Sequence, residues 1–344
     1  MTKDMTQGSP LKLILAFAVP LMLGSLFQQF YNLADTIIVG RFVGVEALAA
    51  VGSVGGLNYL VLGFVNGIAC GFSIPISWAF GAKDYREMRR YTANAVWLSV
   101  FFAAVLTVAT VAMTRSILVW TNTPDNIIDL ADIYIRTIFW GIPFTLLYNV
   151  TSALMRALGD SKRPLYFLLV ASALNIGLDL VCIIVFRMGA FGAAFATVFS
   201  QAVSAVWVLL FLCGRRTTLK IRPRCMAVRW KVLLPVLGLG VSPFIMQSTE
   251  SLVTVVLNTG MQTYGGDLYV GSITIIQSIM QMIVMPTQGI TQGVQPIMSY
   301  NYGAKNYSRV RKTFSLLLKV MLLVTVSGFA LAALLPGVLA RMFT

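Results

Sequence analysis

Apolar residues run through this chain in long blocks, separated by short polar stretches that hold most of its charge. The blocks are too long for a half-buried strand and are apolar on every side, so each reads as a helix immersed in hydrocarbon. About 20 helical residues cross a hydrocarbon core roughly 30 Å thick. Nine spans are predicted, at about 13–39, 47–79, 91–114, 130–156, 164–187, 190–213, 232–260, 268–300 and 313–340. The predicted fold class is an all-α polytopic membrane protein. The first block carries Pro20, Gln28, Asn32 and Asp35, and no small-residue cleavage site follows it. It therefore reads as a span and not as a secretory leader.

The pattern repeats. Gly-Ala-Lys-Asp-Tyr at 81–85 recurs as Gly-Ala-Lys-Asn-Tyr at 303–307, an offset of 222 residues. At that offset Gly67, Ile68, Gly71 and Ser77 meet Gly289, Ile290, Gly293 and Ser299, and Trp78 and Phe80 meet Tyr300 and Tyr302. Pro20 faces Pro243 with a small change of offset. Two similar basic loops would explain shared lysines but not shared glycines. Six spans separate the copies, so both run in the same direction, and the halves are parallel repeats about an axis along the membrane normal. This divides the chain into an N-lobe, 1–213, a basic linker, 214–231, and a C-lobe, 232–344. A six-helix repeat calls for twelve spans, so the expectation is a two-lobe bundle whose second lobe is incomplete, without its last three helices.

Charge decides orientation. The 344 residues include 26 Lys and Arg against 12 Asp and Glu, with no His, for a net charge of +14. In a soluble protein that excess suggests nucleic acid. Here Lys3, Lys12, Lys83, Arg86, Arg89, Arg90, Lys162, Arg163, Arg309, Arg311 and Lys312 fall on the N-terminal arm and alternate loops. The opposite loops hold little more than Arg41, Arg115, Arg187 and Arg341. By the positive-inside rule the N-terminus is cytoplasmic, in the cytoplasmic membrane. No nucleic-acid partner is expected. Cys70, Cys182, Cys213 and Cys225 lack metal-ligand or redox spacing.

The candidate chemistry lies in polar residues set inside apolar blocks. Asp35, Asp179 and Glu250 are such acids, and intramembrane carboxylates mark ion or substrate paths. Gln28, Tyr31, Asn32 and Asp35 share one helical face, a stripe suited to lining a cavity, with Pro20 as a hinge one to two turns earlier. Asn175 and Asp179 stand four apart and offer an amide and a carboxylate oxygen, donors that hard cations prefer. Thr197 adds a hydroxyl to that set or bonds back to its own helix. Gln247 and Glu250 share a face of the seventh span. In the eighth, Gln277, Gln281, Gln288, Gln292 and Gln295 fall within about 60° of one another, with Pro286 as a second hinge. That stripe faces an aqueous cavity or zips to a neighbouring helix.

Several motifs in order resemble the multidrug and toxic compound extrusion (MATE) transporters. They are Tyr-Asn-Leu-Ala-Asp-Thr-Ile-Ile-Val-Gly-Arg-Phe-Val-Gly at 31–44, Ala-Leu-Ala-Ala-Val-Gly at 47–52, Arg-Ala-Leu-Gly-Asp at 156–160, Asn-Ile-Gly-Leu-Asp at 175–179, and the two Gly-Ala-Lys motifs. The resemblance implies a V-shaped two-lobe bundle that exports cationic or lipophilic drugs in exchange for Na⁺ or H⁺, without cofactor, as a monomer when full length. It implies a first-lobe cation site at Asp35, Asn175, Asp179 and Thr197, where Na⁺ would bind, and a bend at Pro20. Glu250 resembles the acid of a second-lobe cation site in some branches of the family, and with Gln247, Gln277 and Gln281 from the residue pattern it makes the candidate second-lobe cation or substrate site. A flippase of lipid-linked oligosaccharides, from the same superfamily, would need intramembrane Arg or Lys for its pyrophosphate. A non-functional fragment is the other alternative. An aspartyl protease dyad would need a Gly-x-Gly-Asp motif, and none surrounds Asp179. A transporter, not an enzyme, is expected.

Overall fold

The computed structural model describes residues 4–121, 123–214 and 230–334. Ten α-helices carry the described chain: α1 Pro10–Phe42, α2 Val45–Ser53, α3 Gly55–Gly81, α4 Tyr85–Trp120, α5 Ile128–Trp140, α6 Ile142–Ala157, α7 Lys162–Leu180, α8 Gly189–Cys213, α9 Trp230–Gly303 and α10 Tyr307–Leu334. Each begins or ends where local chemistry requires it. At the end of α3 the chain turns through Lys83 at φ 58°, and Asp84 then caps α4 by accepting from the Arg86 and Glu87 amides at 3.1 and 3.0 Å. Gly141 separates α5 from α6, which bend by 44° where Pro143 opens the first turn of α6.

The segmentation differs from the hydropathy reading in three places. The second expected span, 47–79, is two helices, broken at Val54. The fourth is the bent pair α5 and α6. The seventh and eighth both fall within one helical run, α9. By length and apolarity six of the described helices suffice to cross a membrane, or seven with the bent pair, against nine spans expected. Their outer faces are apolar and bare, as at Val108, Leu323 and Phe329, which fits a lipid surround.

A straight α9 of 74 residues would extend about 110 Å and put Gly240 roughly 80 Å from Gln295. Both touch the same turn of α3. A methyl group on Gly71 would collide with the Gly240 backbone, and Gln295 Nε2 donates to the Cys70 carbonyl at 3.1 Å. The run therefore reverses direction between these residues and forms two antiparallel arms. In sequence, its two arms are the counterparts of α1 and α3.

The contacts between the copies are reciprocal. A methyl on Gly81 would strike the Tyr300 carbonyl, and one on Gly303 would strike the carbonyl of Trp78, the counterpart of Tyr300. Gly71 meets Gly240 of the first arm of α9, and its counterpart Gly293 meets Ala18 of α1, so each glycine packs on the first span of the other copy. Phe80 meets Tyr300 edge to face at 5.3 Å between centroids, and Trp78 meets Tyr302 at a tilt at 5.5 Å. The turn itself is duplicated: Lys305 also has φ 58°, and Asn306 Oδ1 accepts from the Arg309 amide at 3.3 Å. When residue i of one copy meets j of the other and j's equivalent meets i's, the two are related by a two-fold rotation. The glycines recur because the helix backbones touch there, leaving no room for a Cβ.

Candidate functional site

Helix α7 packs between α1 and α8 and brings the first-lobe candidates to one place. Asp35 on α1 and Asn175 and Asp179 on α7 are all buried, Asp179 completely. Asn175 Nδ2 donates to Thr197 Oγ1 of α8 at 3.3 Å, so the hydroxyl reaches across to α7. Asp35 and Asp179 lie within electrostatic reach of each other. Immediately after Asp179 the helix loosens into a π-helical turn, Val181–Val185. Such turns are frequent at functional sites, because they shift the face a helix presents.

What distinguishes the cluster is its unmet acceptors. Asp35 Oδ1, Asn175 Oδ1 and both carboxylate oxygens of Asp179 are buried without a hydrogen-bond donor. A buried acceptor left bare costs about 1–3 kcal/mol, and more when charged. Four of them on facing helices are the complement of a cation or a proton. The donor set consists of two carboxylates, an amide and a hydroxyl, all oxygens of the kind hard cations take. Among the described residues no three His, Cys, Asp or Glu side chains converge, so the amide and hydroxyl are needed to complete a ligand set.

The other candidates separate. Gln28 and Asn32 are exposed along α1, and Tyr31, half-buried, bonds Gln28. Within α9, Gln277 and Gln292 are half-buried and Gln281 and Gln288 exposed, while Gln295 is bonded to α3. The side chains of Gln247 and Glu250 lie outside the described residues. Pro20 is buried inside α1, and Pro286 is half-buried inside α9.

Two residues escaped the sequence reading. Tyr134 of α5 is buried within electrostatic reach of Asp35, Tyr31 and Asp179. A tyrosine in an apolar block gives no signal beyond packing. Ser161 precedes α7 and looks like an N-cap, yet it makes no capping bond. Its hydroxyl instead donates to the Ala16 carbonyl at 3.1 Å. Ala16 is the residue whose helical partner would be the amide of residue 20, and proline has none. Ser161 thus satisfies the carbonyl that Pro20 leaves bare.

The MatE family model matches the chain twice, over residues 20–181 and again over 243–344. The chain belongs to the MatE family. The two matches fall on the two halves that the reciprocal contacts relate. A probable multidrug resistance protein of Bacillus subtilis, YoeA, is 29% identical over 303 residues, which is 86% of this chain and 65% of that protein. The multidrug export protein MepA of Staphylococcus haemolyticus is 22% identical over 91% of this chain and 69% of its own length. The chain thus spans about two thirds of the length of these MatE relatives. A crystal structure of a MATE transporter in its bent conformation superposes with a TM-score of 0.92 and 26% identity, over all of this chain and 77% of that one. A MOP-superfamily transporter of Pyrococcus furiosus superposes with a TM-score of 0.91.

Proposed function

We propose that this MatE protein exports cationic or lipophilic organic compounds across the cytoplasmic membrane in exchange for Na⁺ or H⁺. The N-lobe is residues 1–213, the linker 214–231 and the C-lobe 232–344, with the coupling ion held in the N-lobe. The observation that carries this reading is the set of four unpartnered acceptor oxygens on Asp35, Asn175 and Asp179. A cation or proton entering there cancels one of the two carboxylate charges, relieves the repulsion between Asp35 and Asp179 and draws α1 and α7 together. Emptying the site restores their repulsion and drives the helices apart. Pro20 lies four turns before Asp35 on α1 and lets that strain bend the helix. Two ion-dependent shapes are what alternating access requires. A flippase for pyrophosphate-linked sugars gains no support from a site built of acids and amides.

The test is drug export in cells lacking their own efflux pumps. Ethidium resistance should be lost in Asp35→Asn and in Asp179→Asn, each with wild-type surface expression, because Asn keeps shape but cannot carry the exchangeable charge. Full resistance in both variants would reject the coupling role. In proteoliposomes, a Na⁺ gradient or a pH gradient imposed alone should drive uptake in the wild type and neither should do so in these variants.

A further inference from the structure

A cavity of about 780 Å³ opens between the start of α1 and the first half of α10, far from the acid cluster in sequence and lined by Ser9, Leu11, Arg311, Lys312, Ser315 and Lys319. The four α10 residues fall within about 100° of one another around the helix, one continuous face. Among the described residues no carboxylate pairs with Arg311, Lys312 or Lys319. The walls are tied together by Arg309, whose Nη2 donates to the Gln7 and Gly8 carbonyls at 2.9 and 2.8 Å. Asp4, the acid near Arg309, already accepts from Thr6, which holds its carboxyl below the usual range, and it does not line the cavity.

The internal repeat supplies a control. On the equivalent face of α4 stand Arg89, Arg90, Ala93 and Trp97, where α10 has Arg311, Lys312, Ser315 and Lys319. Glu87 stands where Arg309 does, and it pairs with Arg90. The second copy therefore has a base for the acid, a cation for the aromatic and a hydroxyl for the alanine. Orienting the loops asks only for positive charge near the membrane surface, which both copies provide. Lys319 goes further. It sits 12 residues into α10, about 18 Å along the axis, in the sequence Leu316-Leu317-Leu318-Lys319. A lysine at that depth lays its aliphatic stem along the helix and reaches back toward the head-group layer, where Arg311 and Lys312 are. Beyond it the same face continues as Leu322, Val326 and Phe329, all exposed.

We propose that this cavity binds the phosphate head group of an anionic phospholipid. Lys319 and the Arg311–Lys312 pair hold the phosphodiester oxygens, Ser315 donates a hydrogen bond, and the acyl chains lie along Leu322, Val326 and Phe329. A free phosphate would use the same polar donors but leave that apolar face bare, which is why a lipid is the better occupant. The inference rests on the chain being a membrane protein and not on how it couples transport to an ion.

Native mass spectrometry of the delipidated full chain, titrated with phosphatidylglycerol or with phosphatidylcholine of the same acyl chains, tests it. Phosphatidylglycerol should bind preferentially. Lys319→Gln and the double variant Arg311→Gln/Lys312→Gln should weaken it by about fivefold per cation removed, while Lys319→Arg retains it. Arg86→Gln, on the equivalent face of α4, should leave it unchanged. All are exposed on helix surfaces, and monodispersity of each confirms folding. Equal binding of the two lipids, no loss in either cavity variant, or an equal loss in Arg86→Gln would overturn the site. Displacement of the lipid by millimolar inorganic phosphate would overturn the lipid assignment in favour of a free anion.

Discussion

Ser161 shows how much a single hydroxyl can settle. It stands one residue before α7, at the N-cap position, where a serine usually bonds the first turn of its own helix. The structure sends it instead to the Ala16 carbonyl that Pro20 cannot serve. This ties the Pro20 turn of α1 to the start of the helix that carries Asn175 and Asp179. Removing the hydroxyl leaves a buried carbonyl bare, at a cost of about 1–3 kcal/mol. Ser161→Ala should therefore lower the midpoint of thermal unfolding in detergent, and Ser161→Thr should largely restore it. An unchanged midpoint in the alanine variant would mean that another donor serves Ala16. At the same scale, Asn175 and Asp179 were legible from a spacing of four, since that spacing alone sets two side chains on one helix face. Tyr134 was not legible, because its neighbours come from α1 and α7.

Helices meet across the two copies through glycine, and the clashes a methyl would cause are with backbone, which cannot swing aside. Gly81→Ala and Gly303→Ala should each cost at least about 1–3 kcal/mol, as overpacked contacts do. Because the two contacts are reciprocal, their losses should be similar. Gly52→Ala, where nothing lies within 4 Å of the added carbon, should be silent. Thermal stability measured on the three purified variants checks the ranking, and a silent Gly81→Ala would remove the close approach. Hydropathy located the apolar blocks but not their internal breaks at Val54 and Gly141, because a bent or divided helix stays equally apolar. The reversal of α9, by contrast, was marked in the hydropathy, which ends one span at 260 and begins the next at 268.

For the molecule as a whole, the reciprocal contacts bind the two Gly-Ala-Lys turns to the same end of the bundle, which is what parallel repeats demand. That end also holds the basic residues, so we expect it to face the cytoplasm. In a cysteine-free background, single cysteines at Ala82 and Lys305 should resist an impermeant thiol reagent in intact cells, and one at Asp125 should react. Labelling of Ala82 and Lys305 together with protection of Asp125 would invert the orientation. Labelling of only one of the two turns would contradict the two-fold relation itself.

The sequence by itself determined the membrane setting, the internal repeat, the family and the pairing of Asn175 with Asp179. Each is written in local order: run length, a fixed offset, or helical spacing. Only the tertiary structure decided that Asp35 and Asp179 come within reach of each other, that four acceptor oxygens remain unmet, and that the second copy's cations border a cavity. Those properties depend on which helices touch, and a helix packed across the bundle lies near residues that the chain keeps scores of positions away.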